Sequence, residues 1–362
     1  MPGQPGLATL YSPAEALDVV RGEFGLGLPD DPGARPVLAV ALEPGPELAV
    51  LDELVRHLPC VVVGAAVHGT DGLEHLSGWD VLVAPGRDVA APWVGCEDPQ
   101  AAARDLAERV AASPLASIAL VQLLRLGEGA SVDDGIVAES AVYSMLQGGP
   151  TFQGWLRARP DSRRGPDEGE PLLVSRSGSH LEIELNRPRV RNALNAAMRD
   201  ALLSALAIAT LDDSVDSVRL SGNGPAFCSG GDLDEFGLAT DPASAHVVRV
   251  SRSVGAAVAR CATKMVADVH GACVGAGIEI AAFCGRVCAA EDAAFSLPEV
   301  GFGLVPGAGG TVSIPRRIGR RRAAHLALSG EAIPATVALA WGLVDDIRDR
   351  PHAFSAPEGG AL

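Results

Sequence analysis

Two glutamates, Glu279 and Glu299, stand in apolar stretches where a carboxyl group would be hard to ionise. Glu279 opens the helical run from Ile278 to Phe283, just after a glycine-rich turn carrying Gly271, Gly275 and Gly277. Glu299 follows a short strand-like run, 294–297, and a proline. Glycines before a helix start let backbone N–H groups approach a ligand at the positive end of the helix dipole. Such amides suit an oxyanion developing on a carbonyl. A carboxylate on the first turn of the same helix would lie within reach of the reacting carbon, and a pair of them can move protons.

Strands and helices must hold these groups in place. Residues 181–185 alternate apolar and acidic side chains, as a strand near a sheet edge does. A long helical pattern covers 193–211, a strand 215–221, one further helix 243–262, and a strand 265–269 that leads into the glycine-rich turn. Between them lies Ser229-Gly230-Gly231-Asp232, which on its own is a turn, with Asp232 as an N-cap for Leu233 onward. Upstream, residues 161–171 are charged and rich in Pro and Gly, and read as a linker. Before it, strands at 37–42, 60–66 and 80–84 alternate with helices near 13–22 and 47–57, a βαβ-type layer with no acid pair. Residues 99–159 are helical instead, with Ser131 as an N-cap ahead of Asp133 and Asp134.

Length allows two ordinary domains in 362 residues, here 1–160 and 172–362 around the linker. A hydrophobic share of 48% with 20% charged residues is that of a globular protein, and the 4% aromatic share leaves the core to Ala, Val and Leu. No run reaches the roughly eighteen apolar residues a membrane span needs, and the N-terminus lacks the basic and apolar regions of a secretory signal, so a cytoplasmic protein without a membrane partner is expected. A net charge of −16 argues against nucleic acid. Lys264 is the only lysine. The seven cysteines are scattered through apolar runs and read as reduced, buried thiols, with no metal site among them. Cys228 reads as packing and His270 as a core histidine.

Residues HGACVGAGIEIAA and AFSLPEVGFGLVPGAGGT, with LEIELNRPRVRNALN and AFCSGGDL upstream and GRRRAAHLALSGEAIPATVALAWGLVDDI downstream, resemble the enoyl-CoA hydratase/isomerase (crotonase) superfamily from about Leu181 to Ile347. The resemblance implies an α/β fold, a crotonase-like spiral of ββα units. It implies an oxyanion hole from the backbone amides of Gly231 and Ala276, framed by Gly230, Gly275 and Gly277 and fixed by Asp232. It further implies hydration of the 2,3 double bond of an enoyl-CoA, with Glu299 donating the proton to C2 and Glu279 deprotonating the water. Coenzyme A would then enter as part of the substrate, with no other cofactor, and the chain would form a homo-oligomer, a trimer or hexamer. Two other readings stand beside this one: an isomerase or related crotonase reaction that uses mainly Glu299, and a non-catalytic acyl-CoA-binding or assembly subunit.

Residues 99–159 resemble the carboxy-terminal tail of the same family, which normally follows the core. The reading is therefore of a displaced lid, in a first half that is a degenerate crotonase-like α/β domain, over a core lacking its usual C-terminal helices. It could cover its own core or a neighbour's. Where the family often has a lysine two residues after the Asp of the first loop, this chain has Asp234. Arg187 and Arg189, with Arg191, or Arg157 and Arg159 at the end of the tail, are the cations that could meet the CoA phosphates instead. The acyl pocket is expected along 233–262. The cluster Arg316–Arg322 reads as a helix face or a subunit contact.

Overall fold

The structure, a computed structural model, describes residues 9–22, 35–160 and 169–349. The linker assigned to 161–171 therefore lies mostly outside the described residues.

The first half opens with β1 (Leu10–Tyr11), α1 (Pro13–Arg21), β2 (Val37–Leu42), α2 (Pro46–Val55), β3 (Val61–Ala66), β4 (Val81–Pro85) and β5 (Val94–Cys96). The five strands form one parallel sheet in chain order. Its strands read as nearly unbroken apolar runs because both faces are covered. Strand alternation sorts them: Leu38, Val40, Leu42 and Val62 join α1 and α2 in a core of their own. Val37, Ala39, Val61 and Val63 face the other way, into a core shared with the rest of the chain.

Four helices follow: α3 (Pro99–Ala112), α4 (Pro114–Leu126), α5 (Val132–Gln147) and α6 (Pro150–Ala158). Each has proline at its start or a side chain capping it: Asp98 accepts from the amides of Gln100 and Ala101, and Ser131 from that of Asp134. Among the described residues no single helix is long and apolar enough to cross a membrane.

The second half contains β6 (Leu172–Ser177), β7 (His180–Leu185), α7 (Ala196–Leu211), β8 (Ser217–Gly222), α8 (Pro242–Ser251), α9 (Val254–Arg260), β9 (Met265–Val269) and β10 (Ala272–Val274). Then come α10 (Ala276–Ala281), β11 (Arg286–Ala290), β12 (Ala294–Ser296), α11 (Gly310–Ile318), α12 (Arg320–Ser329), β13 (Ile333–Pro334), α13 (Ala335–Trp341) and β14 (Asp346–Arg348). Six strands make a sheet in the order β14-β11-β9-β8-β7-β6, parallel except for the β6–β7 hairpin. A smaller sheet, β10-β12-β13, stands apart from it and carries the functional turns at its ends.

Two expectations change here. The single helix read over 243–262 is two, because Arg252 leaves helical geometry and Ser253 caps α9 through the amide of Ala256. The break lets the second helix turn inward, where residues 254–258 are buried. Of the cluster read over Arg316–Arg322, the three arginines that open α12 do not form a free helix face but turn into the chain. Arg320 donates to the carbonyls of Trp79 and Ser77 (both 2.7 Å), Arg321 to those of Trp79 and Leu76, and Arg322 to those of Trp93 and Val89. Three successive arginines thus bind carbonyls at the loops around β4 and β5 and tie the two halves together.

Candidate active site

The turn before α10 is shaped by Gly275, whose φ of 49° and ψ of −123° disfavour any side chain. Its amide donates to the carbonyl of Ser296 at 2.9 Å, which fastens the turn to the end of β12. A Cβ at Gly275 would collide with Oε1 of Glu299, so that carboxyl lies against the bare backbone of the turn. The next residue, Ala276, begins α10, and its amide donates to no described backbone acceptor.

The second turn is held opposite. Leu194 pairs with both neighbours of Gly231: its amide donates to the carbonyl of Gly230 (2.8 Å) and its carbonyl accepts from the amide of Asp232 (2.9 Å). The amide of Gly231 itself donates to no described acceptor. Gly230 has a φ of 100°, and a Cβ there would press on the carbonyl of Val274 in β10, so the two turns are in contact. Cys228 pairs with Cys273 across the same gap; its buried thiol is pushed up to about 12 by desolvation, as a packing cysteine's is. None of the seven cysteines forms a disulfide; six are buried and Cys96 is half-buried.

Asp232 accepts from the amide of Asp234 at 3.1 Å and from the guanidinium of Arg187 at 2.8 Å. This corrects the reading of Arg187 as a substrate-phosphate contact. It is buried, bonds the carbonyl of Ala193 as well, and braces the turn from inside. Arg189 is exposed on the neighbouring 3-10 turn. Asp234, at the reversed position, is met by Arg159 of the helical segment, 3.7 Å away, and Arg159 also donates to the carbonyl of Leu233 at 2.6 Å. His270 bonds the carbonyl of Gly224 through Nε2 at 3.0 Å, as a core histidine does.

Glu279 is 2% exposed, and its Oε2 accepts from the amides of Ala308 (2.7 Å) and Gly310 (2.9 Å) at the start of α11. Burial, then the charge of Glu299, then that of Glu139, push its carboxyl well above the usual range, against the pull of those two amides. Glu299 heads a 3-10 turn after Pro298; it is half-buried, and its Oε2 is closed off from solvent with no partner among the described residues. Burial first, then Glu139, push it up to about 7. The structure thus brings Glu279, Glu299 and the amides of Gly231 and Ala276 to one place.

Sequence reasoning missed Glu139. It sits in the middle of α5, 2% exposed, and its carboxylate accepts from the amides of Gly309 (2.7 Å) and Thr311 (2.8 Å) and from the Thr311 hydroxyl (2.7 Å). Burial raises it to about 7, opposed by these bonds. Three carboxyl groups so close in a desolvated site cannot all ionise independently, and they titrate together. A lone acid on the helix face shared with Ile136 and Leu146 was the available signal; a charge among core positions asks for a partner.

Residues 99–159 therefore cover their own core. Phe152 and Trp155 of α6 stack on each other and meet Phe236, beside the Asp232 turn, at tilted angles, and Trp155 meets Phe302 in the Glu299 turn likewise, with centroids 5.0 to 6.4 Å apart. Four of the chain's few aromatic rings are gathered where the segment touches both functional turns. A cavity of about 510 Å³ is lined by residues of α5, α7, α8 and the loop 307–309, Glu139 among them, and includes much of the expected 233–262 wall. Among the described residues no group of His, Cys, Asp and Glu has a metal-binding arrangement.

A family model described as enoyl-CoA hydratase/isomerase matches residues 175–353. The 2,3-dehydroadipyl-CoA hydratase of Escherichia coli (strain K12) is 39% identical over 176 residues, which are 49% of this chain and 68% of the relative. The trans-2-decenoyl-[acyl-carrier-protein] isomerase of Streptococcus mutans is 36% identical over 177 residues, 48% of this chain and 67% of the relative. The crystal structure of enoyl-CoA hydratase from Thermoplasma volcanium GSS1 is similar at 32% identity and a TM-score of 0.47, over 50% of this chain and 73% of that one.

Proposed function

The chain belongs to the enoyl-CoA hydratase/isomerase family, and on that premise we propose that it adds water across the 2,3 double bond of an enoyl-CoA thioester. The observation that carries this reading is the pair of buried Glu279 and half-buried Glu299, whose Oε2 is closed off from solvent, beside the undonated amides of Gly231 and Ala276.

In this reading the thioester oxygen lies between the two amides, framed by Gly230, Gly275 and Gly277. Attack of water on C3 moves charge onto that oxygen, and each fixed donor lowers the barrier by on the order of 3 kcal/mol. The water stands between the carboxyl groups. Glu279, held through Oε2 by two amides that partly offset the burial and neighbouring charges raising its carboxyl, orients the water and, in its ionised form, takes its proton. Glu299, whose Oε2 has no described partner, holds the proton that passes to C2. The backbone carries the developing charge, so the reaction as written needs no resident metal or redox group, and coenzyme A arrives with the substrate. In this reading Arg159 and Arg189 meet its phosphates, supported by the exposure of Arg189 and by the positive charge that Arg159 brings next to Asp234. Exposed apolar side chains such as Val247 on α8 (63% exposed) favour a homo-oligomer, a trimer or hexamer by family likeness.

The test is loss of the enoyl thioester absorbance with the wild type and with Glu279→Gln and Glu299→Gln. Loss of signal that either substitution abolishes supports hydration. A double-bond shift that needs Glu299 and tolerates Glu279→Gln replaces it with isomerisation, a reading that the isomerase relative keeps in view.

A further inference from the structure

The chain has two tyrosines. The hydroxyl of Tyr11 accepts from the guanidinium of Arg35 at 2.8 Å. That of Tyr143, half-buried in α5, forms no hydrogen bond among the described residues. Its ring is held fast all the same. Arg249 of α8 lies over one face, with 4.3 Å from guanidinium carbon to ring centroid. Arg249 is in turn fastened to α5, donating to Oγ of Ser140 and Ser144 (3.1 and 2.9 Å) and to Oε1 of Gln147 (3.3 Å). The ring also lies against Gly307, where a Cβ would fall 2.5 Å from a ring carbon. A phenol taken out of water ordinarily finds a hydrogen-bond partner. One that is clamped on its ring and bare at its hydroxyl is a donor left over for a ligand.

Helix geometry places this hydroxyl at the acids. Glu139 and Tyr143 are four residues apart, so they stand on one face of α5, about 6 Å apart along its axis. Glu139 takes the amides of Gly309 and Thr311, and Tyr143, one turn on, meets Gly307. The loop 307–311 therefore runs along this face, and the same loop gives Glu279 the amides of Ala308 and Gly310. The charges of Glu299 and then Glu279 act on the Tyr143 hydroxyl more strongly than that of Glu139 on its own helix. The tip of the ring thus points away from α5 and toward the proposed catalytic pair. Burial first, and then these three charges, hold the phenol above its ordinary range against the pull of Arg249, so it stays an O–H donor.

We infer that Tyr143 is a further catalytic residue: its hydroxyl donates a hydrogen bond to the water that attacks C3, and to the C3 hydroxyl which that water becomes. Tyr143 keeps its own proton. The bond from oxygen to C3 forms, a proton of the water passes to Glu279, and the proton of Glu299 passes to C2. Return of a proton from Glu279 to Glu299 restores the pair, so the balance closes without the phenol. Its part is to hold the oxygen from a third side with a lone pair directed at C3. The enoyl substrate carries no oxygen at C3, so water and product make this contact and the bound substrate does not. The contact deepens the hydratase reading, and its turnover readout rests on that reading.

Tyr143→Phe removes the hydroxyl and keeps the ring between Arg249 and Gly307. With trans-2-hexenoyl-CoA the expected result is a kcat lowered by about 10-fold, with KM within about 2-fold of the wild type. Calorimetry with two saturated thioesters, 3-hydroxyhexanoyl-CoA and hexanoyl-CoA, reads the contact directly. The variant should bind the former about 3- to 10-fold more weakly and the latter as the wild type does. Unchanged affinity for hexanoyl-CoA in the same variant is also the control for fold. Equal loss for both thioesters, or no loss for either, leaves Tyr143 a packing role and overturns the inference, as does a kcat equal to the wild type's. A wild type that hydrates no enoyl-CoA is the separate failure of the hydratase reading. The two thioesters then decide the contact alone, a loss confined to the 3-hydroxy compound supporting it and any other pattern sinking it.

Discussion

Glu139 and Glu279 divide four consecutive amides between them: Ala308 and Gly310 donate to Glu279, and Gly309 and Thr311 to Glu139. One acid comes from α5, the other from α10, and the loop between them belongs to neither. The position of Glu279 is therefore set in part by a residue far away in sequence.

Glu139→Ala leaves two buried amides and a hydroxyl without acceptors, at about 1–3 kcal/mol each. The loop relaxes, and Glu279 with it. Turnover is expected to fall by roughly 10- to 100-fold, chiefly in kcat, since displacement of a reacting group by about 1 Å has effects of that size. A drop in melting temperature with unchanged kcat in the surviving folded enzyme would confine Glu139 to a stability role. Glu139→Gln, which keeps one accepting oxygen, should recover part of the loss.

Glu299→Gln tests the titration as well as the chemistry. Burial raises the folded carboxyl to about 7, whereas in the unfolded chain it titrates near its ordinary value of about 4.3. Between those values the folded state holds a proton that the unfolded state has lost, so stability falls as pH rises through the window. Glutamine does not titrate. The variant should lose turnover by about 100-fold or more yet gain roughly 2–4 °C in melting temperature above pH 7, with the gain gone by pH 4. Thermal melts across this range check the sign: a gain at pH 4 that disappears at pH 8 would contradict it.

Gly275→Ala places a methyl group against the Glu299 carboxyl in a backbone conformation with positive φ. The backbone cost alone is about 1–2 kcal/mol. Both Glu299 and the Ala276 amide must shift, so kcat should fall by more than the loss of stability explains. Turnover equal to the wild type would mean that the turn does not carry the reacting oxygen.

Arg322→Ala removes donors from the buried carbonyl of Trp93 and the half-buried one of Val89 and lifts the cation from the Trp341 ring, 5.4 Å away. The expected cost is roughly 2–4 kcal/mol. Amide exchange should quicken first in β4 and β5, the strands next to those carbonyls. Uniform acceleration over the whole chain would instead mean that the two halves open as one unit.

Much of this was legible in one sequence because the parts are local. Gly275, Glu279 and Glu299 lie within one short stretch, and glycine spacing and apolar flanks mark them. Three of the five strands of the first sheet, β2, β3 and β4, were equally plain, since parallel strands covered on both faces are continuous apolar runs, whereas β1 and β5, of two and three residues, were too short to show. What escaped was non-local. Nothing near Glu139 in the chain says that its partners are Gly309 and Thr311. Arg187 resembled a surface cation because its acid, Asp232, comes from another turn. The break at Arg252 and Ser253 was hidden because both flanks keep helical spacing and only the cap of α9 marks the interruption.

Glu139 is made well before the loop it secures. As the polypeptide emerges during synthesis, α5 and α6 leave the ribosome first and must wait, with apolar faces uncovered, for residues 302–311 to appear. The bonds between Glu139 and the amides of Gly309 and Thr311 close loops of 170 and 172 residues, which makes the assembly of this part of the pocket a late and slow event. A nascent chain halted in its last third would therefore carry α5 and α6 with nothing to cover and no working catalyst, and nascent-chain activity should switch on only near the end of translation.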